Sequence, residues 1–293
     1  MGESRDNAHV ARGIVFSRDR PMQLDALISS YRTLVANPAP LDVIYVASTS
    51  DFAAAYSQVE QLHAGPGVAF HLEPGPGEFA QLLTSVMSRV TSPTTFFLVD
   101  DIVFIRPFDL GEFAALADLR SVPSMRLGRN ITWSYTRNSK QAQPHFRTLN
   151  FPELGSAATN SAHDAKLLAW RWRSGIIDWG YPFSLDGNIF VTDTIRDLVS
   201  RCEFTSPNTL EASLHRHAAE AGTWWGVCFD ESRIVNLPIN RVQADVSNLH
   251  GSLHQDDLLL QWNAGMRIDV SSLVGAATDS AHQELDVTLV RRT

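Results

Sequence analysis

From Gly13 the run GIVFS is apolar and ends in polar residues, and the stretch after it carries Leu24, Leu27, Ile28, Tyr31 and Leu34 at helical spacing. This pattern predicts strand, loop, helix. It recurs in LDVIYVAS followed by DFAAAYSQVEQLH, where Asp51 lies near the helix start and suits the positive end of its dipole. A weaker strand, VAFHL, leads through the turn-forming EPGPG into the helix EFAQLLTSVMSRV, and a fourth strand, TTFFLVDD, follows Ser92-Pro93. Strands that alternate with helices imply an α/β fold with a doubly wound, mainly parallel sheet, because parallel neighbours need crossover connections. Ligands of such sheets bind outside the carboxyl ends of the strands. Ser17 to Arg20, Ser48 to Asp51, Glu73 to Gly77 and Asp100-Asp101 therefore form one predicted wall of a site.

After Phe108 the alternation decays. The stretch from Thr132 to Asp164 is rich in Asn, Ser, Thr and Gln with little periodicity, and reads as loops and short strands. Order returns with LLAWRWR and SLDGNIFVTDTIRDLVSRCEF, where Asp193 stands near the front of a predicted helix. A further helix, TLEASLHRHAAEAG, begins after Pro207-Asn208. From Val274 the chain is small and polar apart from the alternating ELDVTLV, which reads as an edge strand or a loose tail.

Composition narrows the partners. A formal net charge of -8 argues against a general nucleic-acid binder, which needs a clustered positive surface, and points to small molecules. Two cysteines, Cys202 and Cys228, at neither CxxC nor zinc-site spacing, support no disulfide framework and no zinc site, and fit a reduced compartment. The opening residues MGESRDNAHVARG lack the apolar core of a secretory signal, and no stretch reaches the roughly 20 apolar residues of a membrane span. The expected location is cytoplasmic, with peripheral contact to a membrane left open.

In FFLVDDIVF two carboxylates interrupt an apolar run, so they sit where the strand leaves the core or bear a heavy desolvation cost. Adjacent like charges call for a bound cation or separate hydrogen-bond partners. A strand-end turn with solvated aspartates is the bland reading. A hard cation, Mn²⁺ or Mg²⁺, suits one or two carboxylates completed by phosphate oxygens, and would stabilise a departing nucleoside diphosphate.

The order strand, SRDRPMQL, two βα units and FFLVDD resembles the nucleotide-binding half of GT-A glycosyltransferases, which carry a DxD-type acidic motif at this point of the topology. SLDGNIF, SPNTLE, LPINRVQ and LLLQWNAGMRID resemble motifs of bacterial members of that family. The resemblance implies a GT-A (Rossmann-like) fold with residues 12–108 as the nucleotide-sugar-binding half. Residues 109–271 would be a less regular acceptor-binding half of the same domain, and residues 272–293 a tail or edge strand. It implies a hexosyltransferase-type enzyme with a nucleoside-diphosphate sugar donor, UDP-linked by preference, a divalent Mn²⁺ or Mg²⁺, and a sugar, glycan or natural-product acceptor. Here Val99 replaces the first acid of the motif, which leaves Asp101 as the implied metal ligand and Asp100 as a contact to ribose or donor sugar. GT-A relatives also bring a C-terminal histidine to the metal, which makes His250 and His254 candidates, although loop histidines are commonly solvated.

Arg18 and Arg20, directly after the first strand, suit a uracil carbonyl or a diphosphate, against the bland alternative of solvated loop cations. Ser17, Ser48 and Asp51 join them as donor contacts by position. Asp186, in a loop beside a glycine, is the first choice for catalytic base. Glu211 and Asp193 are the alternatives, and Glu211 lies near a helix start where a capping role competes. His215 and His217, two apart on a predicted helix, diverge. Trp224-Trp225 before Gly226 suits a pocket wall, and Thr132 to Asp164 is either a lid or a surface excursion. Two other functions stay open: a sugar-nucleotide nucleotidyltransferase, whose expected glycine-rich loop is replaced by SRDRPMQL, and a catalytically degenerate binding or scaffold protein. A P-loop is absent.

Overall fold

The computed structural model describes residues 10–65, 67–149, 166–239 and 254–292. The first hundred residues give β1 (Ala11–Arg18), α1 (Pro21–Leu34), β2 (Leu41–Val46), α2 (Ser50–Leu62), β3 (Val68–Leu72), α3 (Phe79–Ser88) and β4 (Thr94–Val99). Then come β5 (Ile102–Phe104), β6 (Ser121–Pro123), β7 (Arg147–Leu149) and β8 (Leu167–Arg171). β9 (Ile189–Val191), α4 (Thr192–Ser200), α5 (Pro207–His215), β10 (Trp225–Phe229), β11 (Ile234–Asn236), α6 (Gln255–Asn263), β12 (Met266–Ile268) and β13 (Leu289–Arg291) complete the labelled elements. No helix among the described residues is long and apolar enough to cross a membrane.

The central sheet runs β9-β4-β1-β2-β3, with β4, β1, β2 and β3 parallel and β9 antiparallel on the edge. Both faces are covered, as a parallel sheet requires. Val15, Leu41, Val43, Phe96 and Leu98 point towards α1 and α2, while Ile14, Phe16, Ile44 and Phe97 point towards α3. This period-two division explains the near-continuous apolar strands. β3 lies at the other edge and is only half-buried, which accounts for its weaker sequence signal. The chain moves from β1 to β2 to β3 in one direction and then places β4 on the far side of β1, so the topological switch point falls between β1 and β4.

Pro21 opens α1 in its first turn, where the missing N–H costs nothing. The helix expected to run to Gly222 stops at His215. Beyond it the backbone bonds tighten to three-residue turns, such as Ala218 N–H to His215 O and Glu220 N–H to His217 O. Of the alternating stretch 284–290 only the end is strand: β13 pairs antiparallel with β12, and residues 283–288 before it form neither strand nor helix. β12 is tied to α1 by Arg267, whose Nε and Nη2 donate to buried Asp25 at 3.0 and 2.8 Å.

A second sheet, β7-β8-β10-β6, packs beside the first. Its β8 and β10 enclose an aromatic knot in which Trp170 meets Trp172 and Trp179 edge-on at 4.8 and 5.0 Å between ring centres. Gly226 admits this packing, because a Cβ there would lie 2.3 Å from Trp170. Hemmed in on the other sides, the indole has little room to retreat. Gly226→Ala should therefore cost roughly 1–3 kcal/mol through overpacking. A fall in the urea midpoint at unchanged slope would show it, and an unchanged midpoint would show that the knot yields.

Candidate functional site

The site forms where β1 and β4 end. Beyond β4 the chain turns, and both acids meet one guanidinium: Arg20 Nη1 donates to Asp100 Oδ1 at 3.1 Å and to Asp101 Oδ2 at 2.9 Å. Arg20 is aimed by its neighbours. Asp19 takes a left-handed turn (φ 53°) and its Oδ1 accepts Ser48 N–H at 2.7 Å, which ties the loop to the end of β2. Tyr56 of α2 accepts Arg20 N–H at 3.1 Å and lies 2.6 Å from Ser17 Oγ. Ser17 donates to Asp100 Oδ2 at 2.8 Å, so the phenol must donate to Ser17.

Asp100 also accepts Arg18 N–H at 3.0 Å and is 4% exposed. It faces inward and anchors the loop after β1. Asp101 faces the other way, with Oδ1 accepting Asn236 Nδ2 at 2.8 Å. Burial pushes Asp100 above the ordinary carboxylate value, against the pull of Arg20 and Ser17. Asp101 is pushed up to about 6, chiefly by burial and further by Asp100 and Asp186, while Arg20 and His282 oppose the shift.

A second cluster comes from the later half of the chain. Gly187 N–H donates to Phe97 O at 2.8 Å and its carbonyl accepts Met125 N–H at 3.0 Å, so the loop bearing Asp186 is clamped between β4 and the residues after β6. Gly187 holds φ +80°, and a Cβ there would lie 2.4 Å from Ile234. Glycine alone meets both demands. Asp186 Oδ2 lies 3.2 Å from His282 Nε2 and 4.0 Å from Arg126 Nη1. No described residue donates to its Oδ1. Arg126 donates to Ser184 Oγ at 2.6 Å and makes a short contact to Asp178. Glu211, in α5, reaches back to Leu185 N–H at 2.9 Å and Ser184 Oγ at 3.1 Å.

Burial raises both acids of this cluster, but they end on opposite sides of their ordinary values. For Asp186, His282 and Arg126 outweigh burial and hold the carboxyl low. Glu211 stays high, because burial is reinforced by the charge of Asp186. Burial opposes the charge on His282, yet its bond to Asp186 prevails and raises its pKa.

Asn236 joins the clusters. It bridges to His282, exchanging backbone bonds with Ala281 and Gln283, while its side chain holds Asp101. The C-terminal segment thus closes the site.

Several predicted residues lie elsewhere. Arg18 is exposed and offers only its backbone N–H to Asp100. Asp51 is exposed in the first turn of α2, which Thr49 caps. Asp193 pairs with Arg196 on the surface of α4. His254 is the exposed N-cap of α6, its Nδ1 accepting Asp256 N–H, and makes no contact with the acidic pair. A helix start with two acids in its first turn draws it there. His250 falls outside the described residues. Glu211 does not cap α5, because Ser206 and Thr209 form the capping box. Trp224 packs edge-on against Phe183, and Trp225 lines a separate cavity. The described part of the expected lid is pinned: Thr132 and Trp133 donate to Asp279 O, and Gln141 donates to Asp178.

Among the described residues no three His, Cys, Asp or Glu side chains converge as a ready-made metal cage. The charge nevertheless fits a cation. Among the described residues, the carboxyls of Asp100, Asp101, Asp178, Asp186 and Glu211 gather with the guanidiniums of Arg20 and Arg126 and the imidazole of His282, five acidic groups to three basic ones. Asp101, whose carboxyl faces away from the anchor of the β1 loop, is the oxygen donor of this group best placed to meet a hard cation that substrate oxygens would complete.

No family model matches the chain, and no curated protein matches it. Among solved structures it is similar to a nucleotidyl transferase from Methanothermobacter thermautotroptrophicus, with TM-score 0.41 and 12% identity over 76% of this chain and 88% of that one. It is also similar to a mannosyltransferase from Pyrobaculum calidifontis, solved with GDP-mannose and Mn²⁺, with TM-score 0.31 and 16% identity over 43% of this chain and 41% of that one.

The Asp101 shift fixes a pH dependence. Its folded pKa, about 6, lies above the ordinary 3.8, so the linked stability is fully present below pH 3.8 and is lost as pH rises through about 6. Urea unfolding of the protein and of Asp101→Asn should show a stability difference that moves in the variant's favour between pH 4 and 7. A difference flat across that window would place the excess charge elsewhere.

Proposed function

We propose that this protein is a glycosyltransferase that moves a sugar from a nucleoside-diphosphate donor, UDP-linked by preference, to a hydroxyl acceptor. One observation carries the reading: among the described residues, carboxyls outnumber basic groups at the switch point of a parallel sheet, where nucleotides bind in such folds. Asp101 is the residue that would hold a divalent cation against the donor diphosphate. When bound, that cation supplies charge stabilisation to the leaving group. Asn236 orients Asp101, and Asp100 fixes the loop from Ser17 to Arg20 that borders the donor.

On the acceptor side Asp186 takes the proton of the attacking hydroxyl. His282 and Arg126 keep it ionised at neutral pH, and its Oδ1 is open among the described residues. A low pKa makes it a weaker base than one poised near neutrality. Glu211 holds the Asp186 loop through Leu185 and Ser184 and is a positioning residue.

Calorimetry with UDP, with and without Mn²⁺, tests donor binding. Asp101→Ala should remove the metal-dependent gain in affinity. Asp186→Asn should keep donor binding and lower transfer by about 10²–10⁴. Full transfer by that variant would remove Asp186 as base, and nucleotide binding indifferent to metal across common nucleoside diphosphates would remove the reading. Release of pyrophosphate in place of nucleoside diphosphate would identify a nucleotidyltransferase.

A further inference from the structure

On the second sheet, away from the acidic cluster, the chain gathers cations around one indole. Trp225 opens β10 directly opposite Arg171, the last residue of β8, and Arg147 stands on the outer strand β7 beside Ala169. Residues two apart on a strand share a face, so Arg147, Arg171 and Trp225 project to the same side. The Arg171 guanidinium stacks 3.7 Å from the Trp225 ring centre and that of Arg147 lies 5.3 Å away. Arg173, His145, Phe146 and Ser174 complete a cavity of about 420 Å³, large enough for a sugar-sized ligand.

Among the described residues this charge lacks a protein counterpart. Among the described residues no carboxylate pairs with Arg147, Arg171 or Arg173, and no Asp or Glu lines the cavity. Arg171 donates to Thr223 O, which fixes the guanidinium without neutralising it. Two guanidiniums against one indole, with a third lining the same cavity, repel one another in a chain of net charge -8. The arrangement invites an anion, and the number of cations sets its charge: a monocarboxylate balances one of three, whereas a phosphate monoester brings between one and a half and two negative charges with three acceptor oxygens. Arginine forks match those oxygens in pairs.

We propose that the cavity lined by Arg147, Arg171, Arg173 and Trp225 is a binding site for a phosphate-bearing ligand, distinct from the Asp100-Asp101 site. Trp225 starts β10 alongside Ser121 at the start of β6, whereas Arg126 of the acidic cluster follows the other end of β6, so the two sites occupy opposite ends of this sheet. The phosphate belongs either to a soluble ester or to a lipid headgroup.

The test uses the full chain. Inorganic phosphate is titrated while the Trp225 indole N–H resonance, assigned with Trp225→Phe, is followed by NMR. In parallel, sedimentation with vesicles of phosphatidylcholine and phosphatidic acid is compared with phosphatidylcholine alone. Arg147 and Arg173 are exposed, so the double variant Arg147→Gln, Arg173→Gln leaves the packing of Arg171 on Trp225 in place. A saturable shift of the Trp225 resonance that weakens about tenfold or more in the double variant supports the site with a soluble phosphate. Sedimentation that depends on phosphatidic acid and is lost in that variant supports the site with a headgroup. Binding of either probe that survives the double variant, or the absence of both signals in the unaltered protein, overturns the proposal.

Discussion

Arg20 Nη1 is the donor shared by Asp100 and Asp101, and the first half of the site is arranged to keep it there. Two neighbouring carboxylates drawn out of water cannot both ionise without a countercharge close by. The guanidinium supplies one, and its position is over-determined. Asp19 is turned into the left-handed region and fastened to Ser48, Pro21 starts α1 immediately behind it, and Tyr56 takes the Arg20 backbone N–H. The loop after β1 therefore has its shape because the acids after β4 need a partner.

One guanidinium for two acids leaves a remainder, and the second half of the chain adds to it. Asp186 and Glu211 arrive with Arg126 and His282, yet Arg126 is already engaged by Asp178. Among the described residues acid outweighs base across the combined cluster; burial is what chiefly raises Asp101 and Glu211, and the charge of Asp186 adds to both shifts. In this setting each countercharge governs more than its direct partner. Asn236 is the structural hinge of the arrangement, since its backbone carries the segment bearing His282 while its side chain orients Asp101.

The sequence reveals those features that repeat locally. The βα alternation to Val99 reads directly because strands buried on both faces are apolar throughout and the helices between them keep their period. Asp100 and Asp101 stand out because charge interrupts such a strand, and Asp186 because a glycine follows it in a loop. Arg126, Asn236 and His282 carry no such mark. Arg126 lies just past a short strand, Asn236 ends one and His282 belongs to none, and each matters through a partner distant in sequence, as Asn236 does for Asp101. Of the histidines, His254 looks apt by type, but it caps a helix start, whereas His282 sits in a stretch with no periodicity, bridged to Asn236 and held beside Asp186 by a segment that Thr132 and Trp133 also fasten at Asp279.

That bridge also bears on which acid of the later cluster stays ionised. Burial pushes Asp186 and Glu211 in the same direction, so burial cannot separate them. The separation comes from the distribution of cations. His282 bonds to Asp186, and the charge thereby fixed on Asp186 in turn keeps Glu211 protonated more readily. Two neighbouring carboxyls thus shift in opposite directions, Asp186 towards the ionised form and Glu211, which bonds the loop at Leu185 and Ser184, away from it. The opposite shifts of Asp186 and Glu211 therefore depend in large part on the C-terminal segment, which contributes no labelled strand or helix at His282 and only one side chain to Asp186.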